Sequence, residues 1–281
     1  MNILNKITSV AAICILTFSF AGCNDYLDVS NEIAENLTLE EVFDNPDYAR
    51  RWHGNLFNSI TEYSSIGKNQ YNGFSGVWVP MSGETTVSGV GFTEMISGFT
   101  SATAPFHRWT SLYQYIRDAT IFIDRVIPKG NINDQSQLTV EDVNRMKAEA
   151  KFLIAYSYFS LFELYGPVPL ITEIADPEDK GLDYSRATVN ETVEYIDKLL
   201  VEVIESGNLP ETIIQNHTST GNDRYNLNEI VRPTVTAAKA LRAKLWVYAA
   251  SPLFNGGYSE ALDVVNTDGT SLFAPYDANK W

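Results

Sequence analysis

Few residues in this chain have the types and spacing that chemistry requires. The three histidines, His53, His107 and His217, share no ligand spacing, and Cys14 and Cys23 are the only cysteines, so no zinc site and no other metal or cofactor is expected. Each histidine reads as a surface or half-buried side chain. Ser65-Ile66-Gly67-Lys68 fits S-x-x-K, but the S-D-N and K-T-G elements of a serine acylase are absent. Gly89-Val90-Gly91 lacks the next glycine of a dinucleotide loop and a strand-to-helix setting. The 35 acidic residues leave room for a glycosidase carboxylate pair, but none sits in a distinctive local motif. The sequence predicts a protein that is not an enzyme.

Binding chemistry is better represented. Between Ser64 and Pro105 there are seven glycines, many serines and threonines, and no 3.6-residue period. So long a loop in a folded domain is commonly functional, and its rings argue against disorder. Tyr71, Asn72, Phe74, Trp78 and Glu84 are the candidate ligand contacts. An exposed ring stacks on the apolar face of a pyranose while amide and carboxylate groups bond its hydroxyls. The alternative is that these rings form a small core beneath their own loop.

Cys23 carries a different chemistry. Ile7–Phe20 is an apolar run of signal-peptide length, too short to span a bilayer comfortably, and it ends in Phe20-Ala21-Gly22-Cys23. Two small residues before a cysteine suit a narrow peptidase cleft and make Cys23 the expected lipidation site of a bacterial lipobox; an ordinary signal peptide cut near Ala21 is the alternative. Residues 1–22 then form the signal, 23–37 an acidic tether and 38–281 the folded domain. Cys14 leaves with the signal, so no intramolecular disulfide is possible. Residues 1–22 contain Lys6 and no acid, so their removal takes the formal charge from −15 to −16. Such a chain repels nucleic-acid phosphates and anionic lipid alike, leaving the acyl anchor as the only membrane attachment.

The elements that must position these residues are helical. Thr38 and Glu41 form a capping box, Asn45-Pro46 splits the first helix, and Trp52, Leu56, Ile60 and Tyr63 fall on one face. Phe106–Ile127 repeats apolar residues at Trp109, Leu112, Ile116, Ala119, Ile123 and Val126. Val143–Tyr165, capped by Thr139 and Asp142, is apolar around most of its circumference and so must be packed on several sides. Gly166 ends it in the left-handed conformation, and Pro167–Ile171 must be extended. Thr188–Ser206 carries a one-sided stripe with Glu194 and Lys198 paired outside. Glu211–Val231 is polar and irregular. Pro233 opens a last helix to Ala250 whose Ala237, Ala238, Ala240 and Ala243 permit close approach. The expected fold is all-α, built of antiparallel helix pairs resembling tetratricopeptide (TPR-like) repeats, with long irregular loops. Asp277 looks like an N-cap without its helix, so the domain is expected to be truncated before a C-terminal part.

Three stretches together resemble the SusD/RagB family of nutrient-binding outer-membrane lipoproteins of Bacteroidota. They are Cys23-Asn24-Asp25-Tyr26-Leu27-Asp28, then Ala148–Leu153 continuing into Leu164-Tyr165-Gly166-Pro167-Val168-Pro169-Leu170, and Ala237–Leu245 followed by Ala249–Gly257. The resemblance implies a helical, TPR-containing scaffold on the cell surface. It also implies a glycan ligand, or a peptide in RagB-like members, and delivery to a SusC-like TonB-dependent transporter. It transfers no individual ligand contact.

Overall fold

The structure, a computed structural model, describes residues 38–60, 107–129, 137–174, 184–216, 224–225 and 230–281. It divides into two units at Asp44/Asn45. In the first, Thr38 and Glu41 form the expected capping box at the start of α1 (Leu39–Asp44): the Thr38 amide donates to Glu41 Oε2 at 2.7 Å and the Glu41 amide to Thr38 Oγ1 at 3.2 Å.

The second unit begins at Asn45, whose side chain accepts from the amides of Asp47 and Tyr48, with Pro46 preset for the first turn of α2 (Pro46–Leu56). The helix does not carry the Trp52–Tyr63 face through to its end. It tightens into a 3₁₀ turn at Phe57–Ser59, and Ala49, His53 and Leu56 form the buried side. Trp52 is half-buried and donates from Nε1 to the Asp118 carbonyl at 3.0 Å, while Ile60 is exposed; Tyr63 lies outside the described residues.

Four long helices follow: α3 (Trp109–Arg125), α4 (Val140–Tyr165), α5 (Val189–Glu205) and α6 (Val235–Ala250). Sequential neighbours run antiparallel. The start of α3 meets the end of α4, where Tyr113 packs edge-on to Tyr158 at 6.3 Å. Along α4 and α5, Tyr158 meets Tyr195 at 5.3 Å, and Lys151 bonds Glu202 at 2.7 Å. The Val235 amide at the head of α6 donates to the Pro210 carbonyl just beyond α5. The architecture is all-α with antiparallel helix pairs. One short addition, the antiparallel pair β1 (Ile214–Asn216) and β2 (Arg224–Tyr225), occupies the stretch read from sequence as irregular.

α4 is the hub. From Ala148 to Phe162 every residue except Lys151 and Tyr156 is buried, as all-round apolarity requires. Its capping box is present, with the Asp142 amide donating to Thr139 Oγ1 at 3.0 Å. On α5, Val189, Val193, Ile196, Leu200 and Val203 are all buried, and Lys198 Nζ lies 4.0 Å from Glu202, its i+4 neighbour, rather than on the expected Glu194. On α6, Thr234 is the N-cap rather than Pro233, and only Ala238 of the four alanines is fully buried, in a stripe with Val235, Leu241, Leu245 and Ala249. Ala240 and Ala243 face solvent.

The core also contains a carboxylate. Glu149 has no exposed surface, and three cationic or cationisable side chains converge on it. Arg232 donates from Nε to Oε1 at 2.8 Å and from a terminal nitrogen to Oε2 at 3.0 Å. Arg145 Nε donates to Oε1 at 3.1 Å. His53 Nε2 stands 3.1 Å from Oε2, close but off the hydrogen-bonding direction. His53 is thus buried, not a surface or half-buried side chain. Burial pushes the Glu149 pKa up, but His53 and Arg232 outweigh it and hold the group below the usual carboxylate range. A depressed folded-state pKa contributes stability that is complete above the unfolded value, about 4.5, and drains as pH falls through the lower folded value. Glu149→Ala is expected to cost about 2–3 kcal/mol in urea unfolding at neutral pH, since it leaves the half-buried Arg145 and Arg232 without their shared carboxylate. Glu149→Gln should flatten the fall in urea midpoint as pH drops below the unfolded carboxylate value of about 4.5; an unchanged acid limb would show that other carboxylates set it.

Candidate functional site

The sequence candidates Tyr71, Asn72, Phe74, Trp78 and Glu84 lie outside the described residues, as do Cys23 and His217. What the structure describes is how the chain on either side of 61–106 is held. On the near side, Leu56 and Ser59 are fully buried, and the Ile60 amide closes the 3₁₀ turn onto the Phe57 carbonyl at 3.0 Å.

On the far side, an aromatic group fixes the entry to α3. The Arg108 amide donates to the Tyr165 hydroxyl at 2.7 Å. The Trp109 ring meets Tyr165 edge-on at 5.2 Å and Tyr113 at 5.1 Å, and His107, although exposed, stands 6.0 Å from Tyr165. Tyr165 is the last residue of α4, so the helix hub directly positions Arg108 and Trp109, where the chain re-enters the described residues.

The chain leaving α4 is held with equal economy. Gly166 has a positive φ of 72°, as expected, but its ψ of −147° is far from the left-handed helical value. Pro167 then bars helix, and Val168 is fully buried. The Tyr113 hydroxyl donates to the Pro169 carbonyl at 2.7 Å. The Tyr158 hydroxyl donates to the Ile171 carbonyl at 3.0 Å and accepts from the Ile171 amide at 2.8 Å. Burial pushes the pKa values of Tyr158 and Tyr113 well above the ordinary phenol value. Both remain neutral struts, not proton-transfer groups. The sequence pointed to this region through Leu164–Leu170, but not to Tyr113 and Tyr158 as its fasteners, because that pairing depends on helix register.

Two cavities border these elements. One of about 290 Å³ lies between α3 and the exit segment, lined by Tyr113, Ile116, Arg117, Thr120, Ile171 and Glu173 among others. Another of about 400 Å³ opens beside the Glu149 cluster, next to Arg50, Phe57 and Met146. Among the described residues, no group of three or more His, Cys, Asp or Glu side chains could hold a metal, and no helix is long and apolar enough to cross a membrane.

Fold and geometry define a scaffold of antiparallel helix pairs in which the sequence 61–106 connects α2 to α3. The chain belongs to the SusD-like family described as starch-binding and associating with the outer membrane, whose family model matches residues 25–246. Among solved structures, it is similar to BT4246 at 22% identity and a TM-score of 0.57, over 83% of this chain and 37% of that one. A laminarin-binding SusD-like protein aligns at 23% identity and TM-score 0.53, over 78% of this chain and 43% of its own. A SusD-like carbohydrate-binding protein from Bacteroides fragilis aligns at 17% and 0.52, over 76% and 39%. These likenesses show the fold, and the chain spans less than half the length of each of the three. No curated protein matches.

If Tyr165 fixes the start of α3, Tyr165→Phe should cost about 0.5–1.5 kcal/mol and speed hydrogen exchange at the Arg108 amide while leaving exchange inside α5 unchanged. Unaltered exchange at Arg108 would show that the hydroxyl contributes nothing to the anchoring.

Proposed function

We propose that this chain is the helical scaffold of a cell-surface lipoprotein that binds an oligo- or polysaccharide and delivers it to a SusC-like TonB-dependent outer-membrane transporter. The observation that carries the reading is the family match over residues 25–246, with its description as starch-binding and outer-membrane-associating. Residues 1–22 act as the lipoprotein signal, 23–37 as the tether, and acylated Cys23 as the anchor that faces the domain outward. Trp78, Tyr71 and Phe74 supply stacking faces, and Asn72 and Glu84 bond hydroxyls. The protein works by holding its ligand, not by transforming it. In keeping with this, the most buried described carboxylate, Glu149, is committed to Arg145 and Arg232 and kept ionised, which does not suit a general acid.

Calorimetry on the full chain should detect binding of malto- or laminari-oligosaccharides. Trp78→Ala should weaken it roughly three- to tenfold, the contribution of one aromatic face. Binding of a peptide pool with no response to either glycan series would instead make it a RagB-like peptide binder. Cys23→Ala should move the protein from the membrane fraction to the soluble fraction of cells expressing it; retention in the membrane would refute the lipid anchor. Co-purification of wild type with a TonB-dependent barrel tests the transporter partner.

A further inference from the structure

Beyond α6 the chain builds a further surface. Ser251 takes an extended conformation ahead of Pro252 and ends the helix, and Phe254 turns in to pack on Phe162 at 4.3 Å. Two segments distant in sequence are then clamped together. Gly256, at φ 69°, lies so close to the crossing strand of chain that a Cβ would fall 2.2 Å from the Ala274 carbonyl oxygen. Asn255 is buried and donates from Nδ2 to the Asp277 carbonyl at 2.8 Å. A Cβ on Gly257 would lie 2.8 Å from Pro252, so that turn is closed as tightly.

The clamp brings Tyr258 and Tyr276 to one open cavity of about 450 Å³, floored by the two glycines and flanked by Pro252, Ser259 and Leu262. Tyr258 is 36% exposed and Tyr276 55% exposed. The Tyr258 ring is backed by the edge of Phe273 at 6.1 Å, so its orientation is set from behind. Neither hydroxyl has a hydrogen-bond partner among the described residues. On a chain with a formal charge of −15, the lining contains no charged side chain.

That lining selects a ligand by chemistry. Phosphates, nucleotides and charged peptides would find no counter-charge. A neutral ligand with apolar C–H faces and many hydroxyls would find two rings to stack on and the Tyr258, Tyr276 and Ser259 hydroxyls to bond. The volume falls within the roughly 300–1,000 Å³ of small-ligand sites. We propose that the Tyr258–Tyr276 cavity is a carbohydrate subsite that adds to the contact proposed for Trp78, giving the protein a second hold on one glycan chain; this rests on the glycan-binding reading above.

The test is calorimetry of the full chain with maltoheptaose and laminarihexaose, comparing wild type with Tyr258→Ala, Tyr276→Ala and the corresponding phenylalanine variants. Each alanine variant should weaken binding of the recognised glycan roughly three- to tenfold, and each phenylalanine variant should retain most of the affinity because the ring is kept. A double variant with Trp78→Ala should lose the product of the two single effects, as separate contacts do. Equal melting temperatures for the alanine variants and wild type exclude a folding defect as the cause of the weakened binding. Wild-type binding with both alanine variants within twofold would overturn the subsite and leave the glycan-binding reading standing. Absence of wild-type binding to both sugars would overturn the two together.

Discussion

One buried negative charge organises the helices. A carboxylate taken out of water costs several kcal/mol, and that cost is recovered only where its oxygens are fully bonded. Glu149 meets the condition through hydrogen bonds from Arg145 of its own helix and Arg232 of the approach to α6, with His53 of α2 standing 3.1 Å away. The three supporting residues come from widely separated parts of the chain. Each segment must therefore be in its final place before the charge is satisfied, which makes the cluster a check on register as well as a contact. Apolar packing around α4 tolerates small slides. A two-oxygen grip by Arg232 does not.

The same device recurs along α6 in milder form. Asp197 of α5 receives Arg242 through both oxygens, at 2.7 and 3.2 Å, and Trp246 Nε1 at 2.8 Å. Glu163 of α4 receives Lys244 at 3.0 Å and the Tyr248 hydroxyl at 2.6 Å, and burial with that carboxylate lifts the Tyr248 pKa to about 12. So α6 is joined to both neighbours through its long polar and aromatic side chains. Its alanines contribute less than their number suggests, because Ala240 and Ala243 fall on the side turned to water.

Signals that act within one turn of helix were legible in the sequence. The capping boxes at Thr38 and Thr139, the break at Asn45-Pro46 and the stripe on α5 all depend on residues three or four apart, and all are present. What escaped depends on partners far along the chain. Nothing near His53 announces Glu149, and nothing near Tyr158 announces Ile171. The Trp52–Tyr63 face was misread because periodicity shows which residues align, not which aligned side meets the core, and α2 ends before that face is complete. The aromatic candidates of the 61–106 stretch were read from composition alone. What was legible beside that stretch is Tyr165, which the Leu-Tyr-Gly exit marked and which fixes the start of α3. The Tyr258–Tyr276 pair had no local signature, since it exists only once Gly256 has allowed two segments to cross.

Gly166 shows how little is needed to turn the chain out of the hub. A Cβ there would meet nothing within 4 Å, so the position is indifferent to size. Its φ of 72° and ψ of −147° are close to the mirror image of polyproline II, about −75° and +145°. The position therefore selects on handedness: the chain leaves a right-handed helix by taking one step of an extended helix built for the opposite enantiomer, which glycine alone among the encoded residues can take without strain.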